Sequence, residues 1–340
     1  MNLLARSSLL IVALLVSGFS FGFAPVRADE LPEDTNKIKS LTPEQARKLA
    51  EEFPGVDVEV EIKGYFKAKV PACLPMNGLK SLDAETAKSL AGYDKGPLLF
   101  NGLTTLDAAT AKALAEYRGK ELSLSGLTTL DAASAKALAE FKGQQLSLDG
   151  LTTLDADTTK ALAEFKGDFL FLSGLTTLDA ATAMALAEFK GKELYLDGLP
   201  TLDAATAMAL AEFKGKVLTE VKGLLHLNGL TTLDTDTAKA LAESKAWDGG
   251  LSAVTALDSP DSIAIAKALT TRKGPLSLPN LKKISPKTLT ALIQKKDVEI
   301  PLIDTLELIP EPDGSTTDDF VIPEWLEERQ KQQRAEQAAE

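Results

Sequence analysis

The stretch GLTTLDAATAKALAEYRGKELSLS, residues 102–125, recurs with small changes from Gly126, Gly150, Gly174 and Gly198. Gly78, Gly102, Gly126, Gly150, Gly174 and Gly198 stand 24 residues apart, and the next, Gly229, follows after 31. A fixed period of this length marks a stack of similar units, each too small to bury its own apolar face. Function is then to be sought where one copy departs from the others.

Each copy holds an alternating run such as Leu122-Ser123-Leu124, Leu146-Ser147-Leu148 or Leu194-Tyr195-Leu196, which is strand spacing. Asn, Ser or Asp before the glycine predicts a turn. Leu-Thr-Thr-Leu then leads into an Asp and an Ala-rich segment such as Ala108 to Tyr117, predicted to be helical. Asp107 can accept backbone N–H groups that the first turn leaves unpaired, and Ala111, Leu114 and Ala115 form one apolar stripe. Arg118-Gly119, with Lys142-Gly143, Lys166-Gly167, Lys190-Gly191 and Lys214-Gly215, reads as a cation in the last turn followed by a left-handed stop. The recurring Asp, Thr and Lys therefore have structural work, and a catalytic column is not required. Tyr117, Phe141, Phe165, Phe189 and Phe213 predict an internal ladder at the helix ends.

Strands stack about 4.8 Å apart, whereas packed helices prefer 8–10 Å. The mismatch predicts an α/β solenoid that curves, with one parallel β-sheet on the concave side and Ala-rich helices on the convex side. Fainter copies extend it. SLTPEQARKLAEEFPG (Ser40 to Gly55) matches the helical half, and Val56 to Val70 alternates as an extra strand pair over the open end. ALDSPDSIAIAKAL and LSLPNLKKISPKTLTALIQKK are degenerate copies, with VEIPLIDTLEL as a final strand. The Leu-x-Leu strands followed by Gly-Leu-x-x-Leu and a helix resemble the leucine-rich repeat family, in a bacterial variant. The family's usual asparagine ladder, three residues past the second strand leucine, is missing, since Leu127 and Leu151 stand there. The resemblance implies a protein-interaction scaffold that reads partners on the concave strand face.

The ends read differently. Arg6, an uncharged apolar run from Leu9 to Phe23, and Val26-Arg27-Ala28 predict a secretory signal peptide over residues 1–28. The run falls short of the roughly 20 residues that span a bilayer, so no membrane span is expected in the mature chain. The expected location is exported: periplasmic, cell-surface or secreted. Residues 29–76 read as an N-terminal cap with a degenerate first repeat, 77–309 as the solenoid, and 310–340 as an acidic linker and tail. In that tail, Trp325 and Leu326 are the apolar anchors of a short helix that touches the last repeat or serves as a partner-binding motif. The formal charge is −12, and loss of Arg6 and Arg27 makes it −14. Such a chain repels nucleic-acid phosphates, so no nucleic-acid partner is expected. Cys73, the single cysteine, reads as a small core residue.

If the strand leucines turn inward, the residue between them faces out. That column reads Leu99, Ser123, Ser147, Phe171, Tyr195 and His226; the column two residues earlier reads Pro97, Glu121, Gln145, Phe169, Glu193 and Leu224. One end is small and polar, and the other gathers Phe169, Phe171, Tyr195 and His226, the candidate binding residues. The seven extra residues before Gly229, within KVLTEVKGLLHL (the 216–224 insert), could instead fold over Tyr195.

Catalytic readings are weaker. His226 is the only histidine and lies six strand steps, about 29 Å, from Cys73, so neither a Cys–His pair nor a histidine-rich metal site is expected. Asp149 and Asp197, two rungs and about 10 Å apart, approach the separation of an inverting glycosidase. Their column also holds Asn77, Asn101, Ser125, Ser173 and Asn228, however, and so reads as turn chemistry. No metal or cofactor is expected. The composite expectation is a non-catalytic exported scaffold for a protein partner, with polysaccharide as a second ligand class. A structural envelope role and a carboxylate-dependent glycoside hydrolase are the further alternatives.

Overall fold

The computed structural model describes residues 34–62, 66–215, 224–311 and 322–337. The expected signal peptide at 1–28, nearly all of the 216–224 insert and most of the acidic linker lie outside the described residues. The described residues all belong to the unit Pro32–Glu340.

Among the described residues the first α-helix is α1 (Pro43–Glu52), followed by a hairpin, β1 (Val56–Ile62) against β2 (Phe66–Pro75). Helix and strand then alternate. The helices are α2 (Ala84–Leu90), α3 (Ala108–Ala115), α4 (Ala132–Ala139), α5 (Ala156–Ala163), α6 (Ala180–Ala187), α7 (Ala204–Ala211) and α8 (Thr235–Glu243). Between them run β3 (Leu98–Leu99), β4 (Glu121–Ser123), β5 (Gln145–Ser147), β6 (Phe169–Phe171), β7 (Glu193–Tyr195) and β8 (Leu224–His226). Strands β1 to β8 form one sheet in sequence order. β1 is antiparallel to β2, and β2 through β8 are parallel. The alternation is that of a repeat solenoid, as the 24-residue period predicts.

Each helix start is set by its Asp. Asp83, Asp107, Asp131, Asp155, Asp179, Asp203 and Asp234 each accept the N–H three residues on, at 2.6–2.9 Å. Those backbone bonds hold the carboxyls of Asp83, Asp131, Asp155, Asp179 and Asp203 below the usual range. The Thr or Ser at that position is buried, and in some coils it ties coil to coil: the Ser134 hydroxyl donates to Leu106 O at 2.9 Å and that of Thr237 to Leu202 O at 3.2 Å, while those of Thr86 and Thr158 return to their own Asp at 2.8 Å. The inward strand leucines, such as Leu122, Leu146, Leu170, Leu194 and Leu225, and the helix stripe Ala111, Leu114 and Ala115 are all buried, as is Cys73.

The aromatic ladder is present. Tyr117, Phe141, Phe165, Phe189 and Phe213 are buried and stack in parallel, their centroids 5.9–6.3 Å apart. It corrects the reading of the glycines beside it. Helices α3 to α7 end on a right-handed glutamate, not a left-handed glycine. Of the five expected stops, Gly119, Gly143, Gly167, Gly191 and Gly215, only Gly215 has a positive φ, 53°. A Cβ on Gly143 would lie 2.1 Å from Phe141 Cζ: the residue is glycine because the ring lies against its backbone.

Beyond β8 the pattern loosens into β9 (Ala256–Leu257), α9 (Ser262–Thr270), β10 (Leu276–Ser277), β11 (Lys283–Ile284), α10 (Pro286–Leu292), β12 (Val298–Glu299) and β13 (Glu307–Leu308). The strand row continues through bridges Leu225↔Trp247 and Gly250↔Ser277 into β10 and β12. β9, β11 and β13 form a second parallel ladder, at the place the Thr-Thr segments hold in earlier coils. There the Thr128 N–H already donates to Thr104 O at 3.1 Å. The expected final strand VEIPLIDTLEL is therefore two strands on two ladders, because Pro301 between them lacks a ladder donor. The tail is also more than a pair of apolar anchors. In α11 (Glu324–Gln337) Leu326 is buried, Arg329 donates to Val298 O at 2.7 Å, and Gln330 bonds Pro301 O and the Ile303 N–H. The helix thus takes up backbone groups that the last coil would otherwise leave unpaired.

Candidate functional site

Strand pairing places Ser123, Ser147, Phe171, Tyr195 and His226 in one row across β4 to β8. The flanking leucines are fully buried and the residues between them half-buried, apart from the more enclosed Ser147. Three of the four expected residues come together: Phe171, Tyr195 and His226 stack face to face, with both centroid separations 4.2 Å and planes within 7°. Phe169 does not join them. It lies two residues earlier in the same strand, paired with Gln145 and Glu193, and carries the Lys192 ammonium 5.9 Å from its ring centroid. Lys192 in turn pairs with Asp168 at 2.7 Å. The expectation of a freely exposed aromatic cluster is corrected accordingly. The rings of the stack cover one another and offer mainly their edges.

The stack ends in a charge. His226 Nδ1 lies 2.8 Å from Asp248 Oδ2 and Nε2 lies 3.2 Å from Glu193 Oε2. A ring with a carboxylate at each nitrogen has to donate from both, which only the protonated imidazolium can do. Burial opposes that charge, but the hydrogen bonds the ring donates to Asp248 and Glu193 outweigh it and push the pKa up to about 9. The same Glu193 oxygen accepts the Tyr195 hydroxyl. Burial raises Glu193 in part, but its bond to His226 is the larger influence and holds it below the usual range. Burial, with Glu193 beside it, pushes the Tyr195 hydroxyl well above the usual range and keeps it a donor. Glu193 is visible in the sequence as a column position. Asp248 is not, because its coil has lost the repeat pattern around Trp247.

These shifts fix a pH dependence. His226 rises from its unfolded value of 6.5 to about 9, so its contribution is complete below about pH 6.5 and is lost as pH rises through about 9. A displacement of this size corresponds to roughly 3 kcal/mol at most. Glu193 acts in the opposite sense, being lost as pH falls below the usual carboxylate range. Unfolding of the parent and of His226→Gln, measured from pH 6 to pH 10, should show a larger stability loss in the parent. Equal slopes would mean that the imidazolium is not stabilised by Asp248 and Glu193.

The turn column forms a polar ladder beside this row. Asn77 Oδ1 accepts the Asn101 N–H (3.0 Å), Asn101 Oδ1 that of Ser125 (3.2 Å), Asp149 Oδ1 that of Ser173 (2.8 Å) and Asp197 Oδ1 that of Asn228 (2.8 Å). An amide or carboxylate on one coil thus caps the backbone of the next. Gly174 shows how closely the coils approach there: a Cβ on it would fall 1.8 Å from Asp149 O. The two carboxylates considered for glycoside hydrolysis belong to this ladder. The second Asp149 oxygen accepts the Ser147 hydroxyl at 2.7 Å, and Asp197 also accepts the Asn228 side-chain amide at 3.2 Å. Among the described residues, no group of three or more His, Cys, Asp or Glu side chains is arranged to hold a metal ion, and no helix is long and apolar enough to cross a membrane.

Set against known proteins, the chain matches no family model and no curated protein sequence.

Proposed function

We propose that the protein is an exported, non-catalytic binding scaffold of the leucine-rich-repeat type, engaging a protein partner through the open face of its sheet at Phe169, Phe171, Tyr195 and His226. The observation that carries this reading is the stack Phe171–Tyr195–His226, standing where neighbouring coils carry serine. A core needs no ordered aromatic row on its outer side, whereas interfaces concentrate their energy in such residues. Curvature with the sheet on the concave side is supported by the two aromatic rows. Rings on the sheet face are 4.2 Å apart, while those at the helix ends are 5.9–6.3 Å apart, the difference expected of coils that fan outward toward the helices. Export is supported by the sequence of residues 1–28. The non-catalytic reading is supported by the engagement of Asp149 and Asp197 in the turn ladder.

The test is a pull-down from the envelope fraction of the source cells, comparing the parent with the Phe171→Ser, Tyr195→Ser double variant. Loss of hot-spot residues should lower retention of a protein partner at least about tenfold. Polysaccharide arrays probed with the same pair report the second ligand class. Equal capture by parent and variant would remove the aromatic face as the site.

A further inference from the structure

The stack stops abruptly. Its row continues past Phe171 to Ser147 on β5 and Ser123 on β4, and serine has no ring. One more step at the stack's pitch of 4.2 Å reaches a station above Ser147. The outer face of Phe171 bounds it on one side. The floor is already satisfied, since the Ser147 hydroxyl bonds Asp149 at 2.7 Å and Ser125 at 2.6 Å. One strand further, on β4 and two residues before Ser123, stands Glu121, paired in register with Gln145 and in the same column as Glu193.

Glu121 differs from Glu193 in what it holds. Glu193 carries both the Tyr195 hydroxyl and the His226 ring. The half-buried Glu121 carboxylate accepts no hydrogen bond and forms no ion pair among the described residues, and the Gln145 amide beside it is equally unengaged. Burial raises the Glu121 carboxyl and Lys120 offsets this only in part, as befits an acid short of a positive partner. At its other end the stack already shows what such an arrangement accommodates: a planar cation, His226, lies on a ring and pairs with the glutamate of this column.

We propose that the station above Ser147, between the Phe171 ring and the Glu121 carboxylate, receives an arginine side chain of a partner polypeptide. The guanidinium is planar and weakly hydrated, so it lies flat on an aromatic face while its edge donates to a carboxylate. Glu121 accepts that edge, and the Gln145 carbonyl oxygen lies in the same column as a further acceptor. A lysine ammonium would gain the charge attraction and lose the stacking. A neutral sugar ring would stack and could donate a hydroxyl to the carboxylate, but would bring no positive charge to meet it. The acidity of the chain as a whole, net −12, favours the approach of a basic segment.

This inference rests on the proposed reading of the aromatic face as a protein-binding surface, and its test separates the two. A library of random twelve-residue peptides is panned on the immobilised full chain, and enriched peptides are synthesised with arginine, lysine or citrulline at each arginine position. The expected result is enrichment of arginine-bearing sequences. Affinity should fall about tenfold on replacement of the key arginine by lysine, and further with citrulline. Glu121→Gln, which keeps the side-chain shape, and Ser147→Phe, which fills the station, should each weaken binding at least about tenfold with thermal midpoints otherwise near the parent's. Should Ser147→Phe fold poorly, Glu121→Gln carries the test alone. Peptides that need Phe171 and Tyr195 but are indifferent to arginine overturn the arginine station and leave the aromatic-face reading standing. Peptides bound equally by the parent, the slot variants and the Phe171→Ser, Tyr195→Ser variant overturn both. A library that yields no binder overturns the arginine station, and the aromatic face is then judged by the envelope pull-down.

Discussion

Phe165→Ala should cost the protein about 3–5 kcal/mol in equilibrium unfolding, more than truncating any aromatic on the sheet face. Phe165 is fully buried and is the middle ring of the five-membered ladder, with neighbours at 6.1 and 6.3 Å. Its removal strips stacking from both sides as well as its own transfer energy. The site is also poorly able to collapse. Gly167 is moulded to the ring, such that a Cβ there would sit 2.2 Å from Phe165 Cζ, and its backbone is held by bonds from Asp168 and Phe169 N–H to Gln144 O at 2.7 and 2.9 Å. A cavity that cannot close falls at the upper end of the range for such substitutions. Phe171→Ala, at a half-buried position, should cost distinctly less. An equal loss from the two variants would mean that the face stack is as much a core element as the ladder, and would weaken its assignment to binding.

Leu148→Ala should cost about 2–5 kcal/mol, and the place where the damage appears matters as much as its size. Leu148 is fully buried; its N–H donates to Phe171 O at 2.9 Å and its carbonyl accepts from Leu151 at 3.1 Å. The backbone is thereby pinned to the following coil while the side chain is lost. Because a coil touches only its neighbours, stability in such arrays is close to a sum of local and nearest-neighbour terms. Hydrogen exchange should therefore accelerate most in the coils bearing α4, α5 and α6, and fade toward α1 and α11. A rise of equal size at both ends of the array would contradict that nearest-neighbour picture and point to a single cooperative core. Since β6 lies inside the affected zone, the same variant should loosen Phe171 before it disturbs Cys73.

Much of this architecture is legible in the residues. The 24-residue period, the Asp helix starts, the inward leucines, the aromatic ladder and the hairpin over the N-terminal end all appear where the sequence places them. Several finer features are not recoverable from it. The glycine after the Lys or Arg reads as a left-handed stop in every copy, when only Gly215 has that conformation and at Gly119, Gly143, Gly167 and Gly191 the ring two residues earlier is what excludes a side chain. The column before the turn glycine reads as turn chemistry alone, whereas Asn77, Asn101, Asp149 and Asp197 in it also cap the backbone of the next coil. Phe169 looks equivalent to Phe171 and is not: only the outer column of the strand stacks. Asp248, the second carboxylate on His226, comes from a coil whose pattern has decayed around Trp247.

The division follows from where each interaction finds its partner. Helix caps, strand alternation and the stacking of like residues on like depend on contacts within one unit or between copies of it, so the repeated sequence contains both halves of each contact. The imidazolium of His226, the unengaged carboxylate of Glu121 and the docking of α11 on the last coil depend on unlike coils meeting within a few ångströms. Those distances are set by the accumulated register of the stack and by side-chain torsions, which no single repeat encodes. The sequence alone thus determined the repeating scaffold, and only the tertiary structure decided which departures from the repeat meet in space.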